Sequence, residues 1–151
     1  MKPVTVEIEI QCGQAVVWEY LANAEHNPEW LSNMSSCRWT TEPPIRVGSR
    51  YEQVAHFLGK EVQTSFEVTE LEEGRLITIK SLPGSSFPLT ITRKLEPVDA
   101  ERCRVSEIAG GEPGGFYRVA EAPMRMMVRR NITRAYRSLK QLLEHAPAGR
   151  T

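Results

Sequence analysis

Apolar and polar residues alternate without a break from Val4 to Ile10. Val4, Val6, Ile8 and Ile10 share one face and Thr5, Glu7 and Glu9 the other, which is the pattern of a half-buried strand. After Gly13 the period lengthens: Val17, Tyr20, Leu21 and Ala24 recur at helical spacing. Pro28 marks where a short second helix would begin, with Trp30 and Leu31 as its core anchors. Strand patterns follow. They cover 36–42, closed by Pro43-Pro44; 49–59 and 60–74, meeting in a tight hairpin at Gly59-Lys60; 75–82, ending at Pro83-Gly84-Ser85-Ser86; 87–97; and, after a turn at 98–101, 102–111. One helix of about thirty residues closes the chain. The predicted order is β-α-α-β-β-β-β-β-β-α: a short helical pair, a meander of antiparallel strands, and a helix long enough to cover one face of the sheet.

The last helix contains PMRMMVRRNITRAYRSLKQLLE, from Pro123 to Glu144. Tyr117, Ala120, Met124, Val128, Ile132, Ala135, Leu139 and Leu142 recur at steps of three and four, and Tyr136 and Leu143 widen the lower half of this stripe. Arg125, Arg129, Arg134, Arg137 and Lys140 fall mostly off it, which reads as a solvated basic back. The lower half is rich in leucine and suits close packing. Small, adaptable or polar residues (Ala120, Met124, Met127, Asn131) occupy the upper half, so it suits either the filling of core gaps or the wall of a cavity.

Strand parity assigns the inward faces. Tyr51, Gln53, Ala55 and Phe57 face in from 49–58, and Val62, Thr64, Phe66 and Val68 from the next strand. Phe87, Leu89, Ile91, Arg93 and Leu95 face in from 87–97, and Cys103, Val105, Glu107 and Ala109 from 102–111. In 75–82, Leu76 and the pair Ile77/Ile79 favour opposite faces. The result is a mostly apolar concave surface carrying a few polar groups, the usual make-up of a small-molecule site. Its candidate ligand-binding residues are Tyr51, Gln53, Phe57, Thr64, Phe66, Phe87, Leu89, Ile91, Arg93, Glu107, Met124 and Val128, with Asn131 as a further polar contributor. Counting back from a turn near Asp99 sets Arg93 opposite Val105 and Glu107 on the diagonal. Arg93 and Glu107 then read either as a structural ion pair or as an anchor for a ligand carboxylate or phenolate.

Composition narrows the function. The chain has 151 residues, 40% hydrophobic and 25% charged, with zero formal net charge. That argues against general affinity for nucleic acid. The charge is unevenly spread: 113–151 carries a net +6 and 1–112 a net −6. Cys12, Cys37 and Cys103 form no Cys-x-x-Cys, and no histidine pair has metal spacing, so neither a metal nor a cofactor is expected. Free thiols and the lack of an apolar leader predict a cytoplasmic location. His56 falls on the outward face, no Gly-x-Ser-x-Gly or phosphate loop occurs, and no catalytic constellation stands out. Trp18, Trp30 and Trp39 read as packing.

Together the element order, VVWEYLANAEHNPEWLSNM after the first strand, VGSRYEQV, FEVTELEEGRLITIK and a final helix ending RSLKQLLE resemble the START-like, helix-grip (SRPBCC) superfamily. The likeness is to its polyketide cyclase/dehydrase and lipid-transport branch, over nearly the whole chain. It implies an α+β domain spanning 1–151, with a curved antiparallel sheet of about seven strands around the C-terminal helix and a deep apolar pocket between them. Scaffold of this kind does not fix chemistry. Three functions are therefore expected in competition. One is a carrier or binder of a lipid, isoprenoid, quinone or polyketide/aromatic metabolite. The second is a polyketide aromatase/cyclase or dehydrase using the same cavity. The third is a docking module whose Met/Arg rim makes transient contact with a membrane surface. Either a monomer or a homodimer is compatible with the sequence.

Overall fold

The computed structural model describes residues 3–57, 59–84, 88–110 and 121–145, the side chains of Phe57, Glu121 and Met124 excepted. Phe87, Tyr117 and Ala120 lie outside the described residues. The elements run β1 (Val4–Ile10), α1 (Gln14–Ala22), a 3₁₀ helix (Ala24–Glu29), β2 (Met34–Trp39), β3 (Arg50–Phe57), β4 (Lys60–Glu72), β5 (Leu76–Ser81), β6 (Thr90–Asp99), β7 (Arg102–Gly110) and α2 (Glu121–Glu144). The seven strands form one antiparallel sheet in the order β1-β7-β6-β5-β4-β3-β2. This is the helix-grip arrangement. One face of the sheet takes α1, the 3₁₀ helix and α2; the other carries the charged halves of the alternation, as antiparallel sheets permit.

The inward set is apolar where the sheet meets the helices. Ile10, Val17, Leu21, Val68, Leu95, Val105 and Leu139 are among the buried residues of one continuous core. Ile77 and Ile79 are buried, which resolves the ambiguity of β5: these two face the core. A bulge between Val68 and Glu70 switches the parity of β4, so Leu71 joins the core side while Glu70 is exposed. Bulges of this kind insert one residue and reverse the alternation beyond them. The hairpin between β3 and β4 pairs Phe57 with Lys60, and Gly59 adopts φ +76°, a conformation that costs glycine little and a residue with a Cβ much more.

Several expectations are corrected. The second helix does not begin at Pro28. It begins at Ala24, because Asn23 ends α1 by donating its N–H to the Glu19 carbonyl and then caps the next helix by accepting from the Glu25 N–H. Pro28 sits inside this short segment, where so few internal bonds exist that a missing N–H matters little. β2 begins at Met34 rather than 36, through an irregularity between Met34 and Ser36. β6 runs on through Asp99, with a bulge between Pro97 and Asp99. The turn is therefore centred later than expected, and Arg93 pairs directly with Glu107, not with Val105.

α2 is described over 24 residues, and the part of the expected helix that holds Tyr117 and Ala120 lies outside the described residues. Ala135, Tyr136, Leu139 and Leu143 are buried, whereas Leu142 is 36% exposed and does not belong to the seam. Nor are all the basic residues a solvated back. Arg125 donates to the Pro3 carbonyl (3.4 Å), Arg129 to Thr5 (3.1 Å) and Lys140 to Glu9 (2.9 Å). Glu144 accepts from the Gln11 N–H at 2.7 Å and from Lys140 at 2.6 Å. β1 is an edge strand, and open carbonyls on such an edge invite pairing with other chains. Here long basic side chains from α2 occupy them. Among the described residues no helix is long and apolar enough to cross a membrane.

Candidate functional site

The middle of the inner face holds a buried polar cluster. Arg93 on β6 donates from Nε to Glu107 Oε1 on β7 at 3.0 Å. Its Nη1 donates to the Leu21 carbonyl (3.0 Å) and to Asn27 Oδ1 (3.2 Å). Tyr136 on α2 donates its hydroxyl to the same Glu107 oxygen at 2.7 Å. The guanidinium lies 4.9 Å from the Trp30 ring centroid, and Trp30 packs on Tyr136 with centroids 5.0 Å apart. One buried cation thus joins two strands, the end of α1, the 3₁₀ helix and, through Glu107, α2. Arg93 and Glu107 are each 6% exposed. A buried pair is tolerable only when further hydrogen bonds satisfy it, and those bonds are present.

Burial would lower the pKa of Arg93, but Tyr136, Glu107 and Tyr51 oppose it and the net direction is upward. Burial, reinforced by the Glu107 carboxylate, raises Tyr136 well above the usual phenol range. The Tyr136 hydroxyl therefore keeps its proton and serves as a donor. Burial also raises Tyr51 and pushes the Cys37 thiol to about 11. A thiol so placed is a poor nucleophile at neutral pH.

Around this cluster the candidate residues separate into three groups. Arg93, Glu107, Tyr51, Thr64 and Phe66 are buried, with Tyr51 stacked on Phe66 (centroids 5.4 Å apart) and edge-on to Trp39 (5.2 Å). Gln53, Leu89, Ile91 and Val128 are half-buried. Phe87 and the side chains of Phe57 and Met124 fall outside the described residues. Asn131 is exposed. His56 is exposed and pairs with Glu61. Sequence reasoning did not place Asn27 and Trp30 in this cluster, since they come from the 3₁₀ helix and the residue that closes it, far from Arg93 in the chain. It treated Tyr136 as part of an apolar stripe, though a buried tyrosine hydroxyl usually seeks a partner.

Ile91 is informative. It lies in a central strand between Ile79 and Ala109. Both neighbours are buried, at 7% and 3% exposure, yet Ile91 is only half-buried. Ala55, Val62, Leu89, Met127 and Ile132 share that intermediate state. A small space of about 10 Å³ touches Tyr51, Ile91, Arg93 and Asn27, room for about one water.

A family model described as polyketide cyclase / dehydrase and lipid transport matches residues 1–144. The chain belongs to that family. Solved structures agree in fold. A START superfamily protein from Mycobacterium smegmatis is 12% identical, with 97% of this chain and 100% of that chain covered and a TM-score of 0.81. The Zhui aromatase/cyclase from a Streptomyces species is 14% identical, with 99% and 98% covered and a TM-score of 0.78. A major latex-like protein from Panax ginseng is 15% identical, with 96% and 97% covered and a TM-score of 0.72. A search of curated proteins found no match.

Proposed function

We propose that this family member binds a hydrophobic small molecule between the sheet and α2, as a carrier or binding protein for a lipid, isoprenoid, quinone or polyketide/aromatic metabolite. The observation that carries this reading is Ile91. An apolar side chain inside a seven-stranded sheet is ordinarily sealed; one left half-open on the concave face marks where the sheet is not closed by α2, beside a space of about one water that a ligand would have to widen. A wall of Leu89, Ile91, Val62, Met127 and Val128 would supply the apolar contact. The outer face of α2, where Met126 is 65% exposed beside Arg130, Arg134 and Arg137, suits transient contact with a membrane surface during loading.

A second reading, aromatase/cyclase or dehydrase, draws support from the Glu107–Tyr136 pair and from the likeness in fold to the Zhui aromatase/cyclase. A cyclase on this scaffold would hold a flexible chain in a reactive pose and offer one acid or base. The binding reading stands ahead because the acid and base at hand are bound to each other and to Arg93.

Native mass spectrometry of freshly purified protein, with its organic extract analysed alongside, tests the proposal. A bound apolar compound released on denaturation is expected. Val128→Trp should fill the space and abolish uptake while the far-ultraviolet spectrum stays unchanged; full uptake by this variant would remove Val128 from the wall. Chemical conversion of an added poly-β-ketone would favour the enzymatic reading.

A further inference from the structure

We propose that Tyr51, Gln53 and Thr64 form a subsite for an uncharged hydroxyl or carbonyl group at the polar end of the ligand, and that this subsite, not Arg93, sets polar specificity. The assignment rests on the ligand-binding reading above and deepens it.

The three side chains form one contiguous patch. Gln53 pairs directly with Thr64 across β3 and β4, and Tyr51, two residues from Gln53 on the same face, pairs with Phe66. Tyr51 is 2% exposed and Thr64 7%. Neither hydroxyl, nor the Gln53 amide, forms a hydrogen bond with any described residue; all three residues lack even an interaction beyond those given above. Buried polar groups are nearly always satisfied, so two unpartnered hydroxyls on a binding face call for a partner from outside the fold. They are not sealed in. Among the described residues, Trp30 Nε1 is the sole buried side-chain nitrogen or oxygen that is both closed off and without a partner. The Tyr51 and Thr64 oxygens therefore remain open to a small visiting group.

The charge of that group follows from what Arg93 is already doing. Its Nε and Nη1 are committed to Glu107, Leu21 and Asn27, and although Nη2 makes no bond among the described residues, the Glu107 carboxylate already neutralises the cation. A ligand carboxylate here would lose its hydration and meet the Glu107 charge beside the one open edge of the guanidinium. A neutral hydroxyl or carbonyl meets donors and acceptors of both kinds, since tyrosine and threonine hydroxyls do either and the glutamine amide offers one of each. Burial keeps the Tyr51 phenol protonated, consistent with a donor role.

Three matched probes at pH 7 test the assignment: naphthalene, 2-naphthol and 2-naphthoate. Affinities come from titration of the intact protein, and melting temperatures are taken in the absence of probe. Wild-type protein should prefer 2-naphthol over both analogues by roughly tenfold or more. Tyr51→Phe and Thr64→Val should each lower 2-naphthol affinity roughly three- to tenfold and leave naphthalene nearly unchanged. Both should leave the melting temperature nearly unchanged, because neither hydroxyl holds a bond within the fold. A purely structural residue would lower it. Preference for 2-naphthoate, an unchanged 2-naphthol preference in both variants, or parallel loss of stability and of all three probes would overturn the subsite while leaving the cavity intact. Wild-type protein that takes up none of the three would overturn the cavity reading, and the subsite with it.

Discussion

At the scale of single residues, Arg93 is a buried cation held by three hydrogen bonds. Its ion pair with Glu107 is 3.0 Å long, and both side chains are 7% exposed. Removing one partner leaves an uncompensated buried charge, which costs about 3–5 kcal/mol. Glu107→Gln should therefore lower the urea midpoint sharply, although glutamine can still accept from Tyr136. Arg93→Met should do the same. The double variant Arg93→Met/Glu107→Leu should lose clearly less than the two single losses combined, since no bare charge remains. Single losses under about 1 kcal/mol would show the pair to be a surface-like contact and return Arg93 to the role of ligand anchor. The sequence made this pair visible, because two charged residues on predicted inward faces are rare enough to notice. It could not show the direct register: that depends on one bulged residue between Pro97 and Asp99, which leaves no mark on an alternating pattern. Nor could it show Asn27 from the 3₁₀ helix, and Trp30 just after it, completing the shell.

At the scale of elements, α2 has two unlike halves. Leu139 is fully buried and Leu143 is 4% exposed. Val128 and Met127 are half-buried, and polar bonds from Arg125 and Arg129 tie that half to the edge of β1. Leu139→Ala should cost about 2–5 kcal/mol by emptying a sealed site. Val128→Ala should cost roughly 1 kcal/mol or less, because little sealed volume is lost. Denaturant melts of the two variants decide the matter; equal costs would mean that the upper half is packed as tightly as the lower. The apolar period made the lower half legible. It misassigned Leu142 because a stripe written at steps of three and four cannot say which of two adjacent leucines, Leu142 or Leu143, faces in. The edge role of the basic residues was invisible for another reason: periodicity locates an apolar face, while the carbonyls that Arg129 and Lys140 reach belong to a strand more than a hundred residues earlier.

At the scale of the whole molecule, these differences add up to a gradient across the concave side. Where β1 ends and β7 begins, Ile10, Cys103, Val105, Leu95, Leu139 and Leu143 close the core. Toward the β3–β4 hairpin and the start of β6, Ala55, Val62, Gln53, Leu89 and Ile91 stay half-open. A fold closed at one end and open at the other should not exchange its amide hydrogens evenly. Amides of β7 and of α2 around Leu139 should exchange only through global opening, while those of α2 from Met126 to Arg130 should exchange through smaller local openings and so much faster. Occupancy of the concave side should then slow exchange mainly in that upper half of α2 and in β3 and β4, leaving the sealed end unchanged. Uniform protection along α2, with or without a bound compound, would mean that the gradient in burial has no counterpart in local stability. Loading would then require the whole domain to open rather than one end of its helix.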